Sequence, residues 1–432
     1  MKIFDKRFNA LAHLHGEGED GVTPTELCRE IVSKLPAEGF RDLNSTFCDP
    51  HCGKGTFLLA IAERCFKEMA NVIPDEKQRI NHIIQTKLYG YDINASQVST
   101  TATTLKMLLR AFEVEASLNL QQKDSFTLSD IQFNYVVGGP PFKELADNGR
   151  QTNKSIWKDF LFKASELTKD KGAFALITPN GWGAPSDNKK LIDNLFTRHN
   201  LVYANISTVK RHFPGIASSF GYTITIKEVY NHNTVLLCED GTHIVDLAIT
   251  KFVVSKGMSI IKKLTLSKDE RCNFKLGGKD VEYPGEGYHY DDKPGTAIYK
   301  NIHSVNSSKD YEPNTTIPVR YSEKPSPIQK RKKVVIPYTG PANVIIDNGE
   351  YGVGWSQVLL LDNSIDINNV KSVFNSKLFM FFVSFKHSAY NENKNLNQFP
   401  LLDLTQAWTD KKMYEYFNLT SKEIEYIEKV VD

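Results

Sequence analysis

Three aspartates stand where predicted strands end, and they are the residues of this chain best placed to bind a ligand. Asp49 ends a short apolar strand, Asp92 ends the strand that begins at Leu88, and Asp124 follows a third apolar segment. Because the carboxyl ends of parallel strands meet at one edge of a sheet, we expect the three carboxylates to lie close together. Such a set suits a ligand that carries hydroxyl groups and an amino group.

A glycine turn directly follows the first of these acids. Gly53 and Gly55 lie between the strand and an apolar helical run that begins at Phe57. A strand that ends in glycines and leads into a helix brings backbone N–H groups and a helix N-terminus to one point, and glycine lets a ligand approach the main chain closely. This pattern predicts a cofactor pocket, although two glycines also occur where a helix simply packs tightly against a strand.

A second loop that could take part in chemistry follows the fourth predicted strand. It comprises Gly138, Gly139, Pro140, Pro141 and Phe142. The two prolines fix the backbone and remove two N–H donors, so the loop presents its carbonyls and an aromatic ring in a set geometry. Taken in isolation, the same residues also describe a simple rigid turn.

Strands and helices alternate along the chain to about residue 245. This alternation predicts an α/β fold, with a Rossmann-like, mostly parallel sheet that helices cover on both faces. Near the N-terminus, the pattern indicates a capping box, with Thr23 as the N-cap of a helix, Pro24 at its first position and Glu26 closing the box. Thr420–Glu423 predicts a second capped helix near the C-terminus.

A change in composition near residue 245 predicts a second domain. A chain of 432 residues exceeds the size at which a single core stops growing, about 250–300 residues. Past Tyr230 come a hairpin signal at Asp240-Gly241 and then irregular stretches rich in Gly, Pro, Tyr, Asn and Lys. We therefore expect one domain over residues 1–245 and a smaller α+β domain over residues 246–432.

The composition, with 41% hydrophobic and 24% charged residues, is that of an ordinary globular protein. No apolar run approaches the ~18–20 residues that a membrane span needs, and the N-terminus lacks the apolar core of a signal peptide. We expect a soluble, cytoplasmic protein. The six cysteines show no paired spacing, so we expect buried, reduced thiols and no metal site.

One basic cluster stands out in the second half of the chain. It consists of Lys330, Arg331, Lys332 and Lys333. The net charge of +2 neither requires nor excludes a nucleic-acid partner, because a local basic surface matters more than the sum. Such a run is either a solvated loop or a set of phosphate contacts. A basic run that lies beside a domain that modifies nucleotides would favour phosphate contacts, and on that basis we interpret the cluster as DNA-binding.

Taken in order, these motifs resemble those of the N6-adenine DNA methyltransferases, type II modification enzymes that use S-adenosylmethionine. The resemblance rests on Thr23-Pro24, the turn Asp49–Gly55, Asp92, Asp124 and the loop Gly138–Phe142. The target-recognition part follows the catalytic part, as in the gamma arrangement of this family. Through its motifs, the resemblance covers about half of the chain.

The resemblance implies a cofactor, a fold and partners. S-adenosyl-L-methionine would be the cofactor of a Rossmann-like methyltransferase domain over residues 1–245. Residues 246–432 would form a DNA target-recognition domain. Double-stranded DNA would be the partner, with a separate restriction endonuclease as a further partner in the same system.

Carried over position by position, the resemblance also implies a cofactor site. Thr23 would contact the methionine carboxylate, and Asp92 would take the ribose hydroxyls, with Ile93 against the adenine ring. Asp124 would accept a hydrogen bond from the adenine amino group. The full implied set is Thr23, Asp49, Pro50, Gly53, Gly55, Asp92, Ile93, Asp124 and Ser125.

The implied catalytic residues are those of the proline loop: Gly139, Pro140, Pro141 and Phe142. The main chain of Pro140 and its neighbour would hold the target base, and Phe142 would stack on it. Because the target amine is hidden in the duplex, the base must be flipped out at a cost of a few kcal/mol, which stacking and hydrogen bonds offset.

At position 139, the chain departs from the family's pattern, in which Asn, Asp or Ser precedes Pro-Pro. Gly139 lacks the side chain that would accept a hydrogen bond from the target amine, a loss that commonly costs ~10²–10³ in rate. It could mark an engineered inactive form, a natural enzyme that has lost or changed its activity, or a divergent active site. Asn134, where an acid often stands, is a lesser departure.

Three functions therefore stay open from the sequence. The first is a site-specific DNA adenine methyltransferase, impaired or not by Gly139. The second is a DNA-binding protein that keeps the cofactor fold but transfers little or nothing. The third is a methyltransferase with a different acceptor, since glutamine methyltransferases that act on protein also use a Pro-Pro loop. The long C-terminal domain and its basic cluster favour DNA.

Overall fold

The computed structural model describes residues 6–12, 23–145, 151–183, 191–213, 220–228, 231, 233–250, 253–277, 298–302, 319–337, 344–354, 356–385 and 395–431. The chain divides into two compact units. The first comprises Met1–Asn180 and Lys190–Ala248, and the second comprises Gly181–Lys189 and Ile249–Asp432.

The first unit combines helices with one nine-stranded sheet and a separate two-stranded sheet formed by residues 143–145 and 151–155. Its helices are α1 (Lys6–Ala12), α2 (Thr25–Lys34), α3 (Glu38–Arg41), α4 (Thr56–Glu68), α5 (Glu76–His82), α6 (Ala95–Ala111) and α7 (Trp157–Leu167), with π-helical turns at Ile83–Lys87 and Ile192–Phe196. Its strands are β1 (Phe47–Asp49), β2 (Leu88–Asp92), β3 (Asn119–Gln122), β4 (Phe133–Gly138), β5 (Lys143–Leu145), β6 (Gln151–Ser155), β7 (Thr168–Pro179), β8 (Asn200–Asn205), β9 (Phe220–Ile226), β10 (Thr234–Cys238) and β11 (Gly241–Val245).

The strand order of the large sheet is β11-β10-β8-β9-β7-β4-β1-β2-β3. β1 pairs in parallel with β2 on one side and with β4 on the other. β9 runs antiparallel to β7 and β8, and β11 runs antiparallel to β10. The other strands share one direction, which confirms the predicted α/β fold with a mostly parallel, Rossmann-like sheet.

Apolar residues explain why α4 and the central strands pack as they do. The run Phe57–Ala62 is buried throughout, as expected for a helix that lies under other elements. In β7, the segment Ala173–Ile177 is continuously buried, which is typical of a strand covered on both faces. Beneath the sheet, Phe47 stacks on Tyr135 with ring centroids 4.6 Å apart.

The second unit is a smaller α+β assembly. Its strands are β12 (Lys275–Leu276), β13 (Tyr299–Ile302), β14 (Val319–Ser322), β15 (Lys333–Pro337), β16 (Ile345–Asp347), β17 (Gly352–Val353) and β18 (Ser356–Leu360). They form a four-stranded sheet in the order β12-β18-β15-β16 and a three-stranded sheet in the order β14-β13-β17. Its helices are α8 (Met258–Thr265), α9 (Ile367–Phe374), α10 (Lys377–Ser384), α11 (Asp410–Tyr416) and α12 (Ser421–Val431).

Several local predictions are confirmed. The predicted hairpin forms, with β10 and β11 joined by the two-residue turn Glu239-Asp240. In the capping box of α12, the Thr420 N–H donates to Glu423 Oε2 over 2.7 Å. All six cysteines are free and buried. None of the helices that the structure describes is both long and apolar enough to span a membrane.

The start of α2 differs from the prediction. The helix begins at Thr25, and Pro24 precedes it with extended φ and ψ of −60° and 143°. Thr23 is therefore not the N-cap, and no side chain caps this helix. The residue stays outside the helix, where its hydroxyl can serve another purpose.

A buried ion pair holds the four-stranded sheet of the second unit together. Lys333 Nζ on β15 lies 2.5 Å from Asp347 Oδ2 on β16, and both side chains are at most 1% exposed. The ammonium also donates to the carbonyls of Ile328 and Arg331. The Asp347 carboxylate accepts three backbone N–H groups from residues 349–351. Because both charges are fully bonded, neither can be lost alone without leaving the other buried and unpaired.

We predict that Lys333→Met destabilises the protein by about 3–5 kcal/mol, since it leaves the Asp347 carboxylate buried without its cation. Urea unfolding of the full chain, followed by tryptophan fluorescence, measures the effect. The control is Lys330→Met, three residues earlier and exposed, which should change stability by no more than about 0.5 kcal/mol. Equal unfolding midpoints for the two variants would contradict the structural role of Lys333.

Candidate active site

The predicted site lies at the point where the strand order reverses. The chain leaves β1 toward β2 and β3 and then returns to β4 on the other side of β1. Ligands of open α/β sheets bind at such a switch point, outside the carboxyl ends of the strands. Asp49 ends β1 and Gly138 ends β4 here, so close that a Cβ atom on Gly138 would lie 2.9 Å from Asp49 Oδ1.

The glycine turn is anchored to the neighbouring strand. The N–H of Gly53 donates to Asp92 Oδ2 over 3.0 Å, and the N–H of Cys52 donates to the Tyr91 carbonyl over 2.8 Å. Gly53 and Gly55 have φ values of 50° and 85°, which side-chain-bearing residues rarely adopt. The turn between β1 and α4 thus needs its glycines, and Asp92 sets its position.

Asp49 is a buried acid without a cation. The side chain is 1% exposed, and none of the ion pairs found among the described residues involves it. The pKa of Asp49 is raised from 3.8 to about 8, mainly by burial; the hydrogen bond from the His51 N–H opposes this rise, and the nearby Asp92 carboxylate adds to it. A positively charged ligand group beside Asp49 would reverse this shift.

An apolar residue and a second acid continue this edge of the sheet. Ile93, directly after Asp92, is 71% exposed and offers apolar surface that a flat ring could cover. Asp124 is exposed and accepts the N–H of Phe126, whose ring is 41% exposed. Ser125 between them is buried. The edge therefore offers acceptors for hydroxyl or amino groups beside apolar surface.

His51 is a site residue that the sequence interpretation missed. Its Nε2 lies 2.9 Å from Ser125 Oγ, and its ring stands edge-on to Phe160 with centroids 4.1 Å apart. Burial lowers the pKa of His51 to about 3, so the imidazole is neutral. The contact ties the glycine turn to the Asp124 segment across 74 residues of sequence. The only signal for this role in the sequence was the position of His51 as a polar residue within the glycine turn, between Pro50 and Cys52.

The structure brings the proline loop next to Thr23. A Cβ atom on Gly139 would lie 2.8 Å from Thr23 Oγ1, 3.6 Å from Ile177 Cδ1 and 3.8 Å from Phe57 Cε2. The 2.8 Å distance to Thr23 Oγ1 is shorter than the contacts that real Cβ atoms make with their neighbours. The Thr23 hydroxyl, which does not cap α2, thus stands where a side chain at position 139 would begin.

The rest of the proline loop is partly engaged by other residues. Pro140 is buried and Pro141 is exposed. The ring of Phe142 stacks on Phe220 with centroids 4.8 Å apart and an interplanar angle of 21°. The Phe142 carbonyl accepts the N–H of Ile156 over 3.1 Å. One face of the Phe142 ring is therefore occupied, and a target base could stack only on the other face.

The four residues of the basic cluster do not form one exposed surface. The prediction that Lys333 contacts DNA is wrong, because its ammonium is buried against Asp347. Lys332 is half-buried and donates to the Ile365 carbonyl, and Arg331 donates to the Leu361 carbonyl. Lys330 and Arg331 are exposed. Their contact with DNA stays a prediction.

Comparison with known proteins shows what part of this chain is similar to. A family model described as "Eco57I restriction-modification methylase" matches residues 75–204. This stretch belongs to the restriction-modification methylases. It contains Asp92, Asp124 and the proline loop, so the methylase match covers the second half of the candidate site.

Two curated proteins that are similar to part of this chain are type II proteins. The type II methyltransferase M.VspI of Vibrio sp. (strain 343) is 26% identical over 132 residues, 29% of this chain. The type II restriction enzyme and methyltransferase RM.BcgI of Heyndrickxia coagulans is 29% identical over 187 residues, 40% of this chain. The matches span only 26% and 27% of those relatives' lengths.

Among solved structures, a class I S-adenosylmethionine-dependent methyltransferase from Listeria monocytogenes is similar with a TM-score of 0.39 and 15% identity. The similarity covers 53% of this chain and 69% of that one. The methylase match over residues 75–204 and the mostly parallel sheet described above together indicate a methyltransferase-type α/β fold for the first unit.

We predict that Asp49→Asn stabilises the ligand-free protein relative to the wild type, and that the gain grows as pH rises from about 5 to about 8. With a pKa of about 8 in the folded state and a usual value of 3.8, Asp49 keeps a proton that the unfolded chain has lost, so wild-type stability falls over this range. Urea unfolding at several pH values measures the difference.

The control for this prediction is Asp42→Asn. Hydrogen bonds from Ser45 and Asn44 lower the pKa of Asp42, so its contribution is complete above pH 5 and should not change up to pH 8. A difference between Asp49→Asn and wild type that stays constant from pH 5 to 8 would show that Asp49 is already ionised in the folded protein.

Proposed function

We propose that this chain is a site-specific DNA adenine N6-methyltransferase that takes its methyl group from S-adenosylmethionine. The observation that carries the proposal is the pairing of two loops at the switch point. Asp49 lies against Gly138, and Thr23 lies against Gly139. A cofactor bound along the first loop would therefore meet an acceptor bound along the second.

The residues present fit S-adenosylmethionine. This cofactor carries an ammonium and a sulfonium, two ribose hydroxyls and an adenine ring, and supplies an electrophilic methyl group when bound. The uncompensated Asp49 carboxyl suits the positive charges, Asp92 suits the hydroxyls, and exposed Ile93 suits one face of the ring. Asp124 and Ser125 would take the adenine amino group, and Thr23 the carboxylate.

The chain's own part in the reaction would be to position the acceptor amine. The carbonyls of Gly139 and Pro140 can accept hydrogen bonds from an exocyclic amine and turn its nitrogen lone pair toward the methyl group. The free face of Phe142 would stack on the flipped base, with Phe220 supporting the ring from behind. Gly139 supplies no side-chain acceptor, so the proposed activity is weaker than that of a loop with asparagine there.

We further propose that residues 246–432 recognise a short DNA duplex and that a separate restriction endonuclease belongs to the same system. The names of the two curated relatives, a type II methyltransferase and a type II restriction enzyme and methyltransferase, support a place in a restriction-modification system. Lys330 and Arg331 are the exposed cations of the basic cluster that would meet phosphates. Residues 1–245, most of which belong to the first unit, would form the catalytic domain.

A silent DNA-binding protein is the second candidate, and Gly139 is the observation that favours it. Such a protein would bind duplex DNA and the cofactor but transfer no methyl group. A methyltransferase with another acceptor would bind the cofactor but show no salt-sensitive affinity for duplex DNA. Both possibilities are outcomes of the following experiments.

We predict that Gly139→Asn raises the rate of N6-methyladenine formation by about 10²–10³, because it adds an acceptor for the target amine. Nucleoside mass spectrometry on mixed-sequence duplex DNA measures the product. The new Cβ atom must displace Thr23 Oγ1, which lies 2.8 Å away. Rotation about χ1 of Thr23 can move that hydroxyl at small cost.

The matched control is Gly139→Ala, which brings the same Cβ atom without the amide. It should be no more active than the wild type. If the Asn variant is no more active than the Ala variant, and both still bind duplex DNA, the silent candidate is favoured. If duplex binding is absent as well, the acceptor is a different molecule.

We predict that Asp92→Ala weakens S-adenosylmethionine binding more than tenfold, since it removes both a ligand acceptor and the anchor of the Gly53 N–H. Calorimetric titration with the cofactor gives the dissociation constant. Asp366→Ala is the control, because Asp366 caps α9 through the N–H of Asn368 in the second unit. An unchanged dissociation constant in Asp92→Ala would remove Asp92 from the cofactor site.

A further inference from the structure

A cysteine, an aspartate and a histidine meet at the tip of the last hairpin of the first unit. β10 and β11 pair up to Cys238 and Gly241, which leaves Glu239 and Asp240 as the two turn residues. Cys238 Sγ, a carboxylate oxygen of Asp240 and a ring nitrogen of His243 all lie within 4.8 Å of one another. These three residues lie on the hairpin, away from the switch point of the sheet.

Strand geometry explains why these side chains converge. Leu236 pairs with His243, so their side chains share one face of the hairpin. Cys238 is two residues beyond Leu236 and therefore points to the same face. The turn then returns Asp240 toward His243, and Asp240 Oδ1 lies 2.9 Å from His243 Nε2.

The three side chains are largely buried but remain accessible to a small ion. Cys238 is 3% exposed, and the side chains of His243 and Asp240 are 14% and 27% exposed. A small ion can thus enter from the Asp240 side, while the thiol remains protected from bulk solvent. Such partial shelter strengthens the attraction between a cation and its ligands.

We propose that Cys238, Asp240 and His243 bind a zinc ion. Thiolate, imidazole and carboxylate are the three ligand types that zinc uses in proteins, and three protein ligands leave one tetrahedral position for water. Magnesium and calcium prefer all-oxygen sites, so a thiol and an imidazole select against them. Zinc–ligand bonds of about 2.0–2.3 Å place donors roughly 3.3–3.8 Å apart. The Cys238 thiol, which lies within 4.8 Å of the other two donors, must therefore rotate closer, whereas Asp240 Oδ1 and His243 Nε2, 2.9 Å apart, must separate slightly.

The ion would act as a clasp for the edge of the sheet. β11 is the terminal strand in the order of the large sheet, with β10 beside it. An edge strand has unpaired backbone groups along one side and is held by one neighbour. A metal that binds the folded hairpin and not the unfolded chain stabilises that strand by linkage. The proposal departs from the expectation, based on cysteine spacing, that the chain holds no metal.

Zinc titration of the chelator-treated full chain against a chromophoric competitor tests the proposal. We expect Cys238→Ala and His243→Gln each to weaken zinc binding at least about 100-fold, since loss of a ligand should exceed the loss of a supporting residue. In the cobalt-substituted protein, the thiolate-to-cobalt absorption band should vanish in Cys238→Ala. The controls are Cys272→Ala, a buried cysteine of the second unit, and His199→Gln, a histidine in the turn directly before β8.

The melting temperature gives a second readout. At zinc concentrations about 100 times the dissociation constant, the wild type should melt about 5 °C higher, and magnesium should have no effect. His243→Gln changes a side chain at the surface and keeps the proposal testable if Cys238→Ala fails to fold. Wild-type zinc affinity in His243→Gln, or no micromolar zinc binding in the wild type, would overturn the proposal.

Discussion

A buried carboxyl group at the end of the central strand is the constraint on which the candidate site depends. Raising the pKa of Asp49 from 3.8 to about 8 corresponds to a loss of stability on the order of 4 kcal/mol at neutral pH. The fold accepts this loss at a position where no cationic side chain of the described residues pairs with the carboxylate. A ligand that brings a positive charge recovers it, so the energy stored at Asp49 becomes part of the ligand's binding energy. Selectivity for a cationic cofactor would follow directly from burial.

The glycines around Asp49 follow from the same constraint. A Cβ atom at position 138 would press on the Asp49 carboxylate. A Cβ atom at position 139 would press on the Thr23 hydroxyl. The two positions are thus matched to their neighbours across the switch point. A glycine at position 139 is consistent with the surrounding packing, which speaks for a divergent site over an isolated lesion.

Local patterns in the sequence were enough to predict most of the first unit. Apolar alternation gave the strands, and the acids and glycines at their ends gave the switch-point site, because strand direction alone decides that these residues share an edge. The start of α2 could not be predicted in this way. Thr23, Pro24 and Glu26 match a capping box, but the main chain at Pro24 is extended, which leaves Thr23 free to lie against a loop more than 100 residues away.

The basic cluster shows why side-chain roles are harder to predict than elements. Lys330 and Lys333 are both lysines of one basic run, yet one is exposed and the other is fully buried. The difference comes from β15, which begins at Lys333 and pairs this residue directly with Asp347 on β16. A charged side chain that is buried at the first residue of a central strand needs a buried partner of opposite charge, because burying it unpaired costs a large amount of free energy. Any DNA-binding surface of the second unit therefore has to be sought among side chains outside its strand pairing, such as Lys330 and Arg331 in the turn before β15.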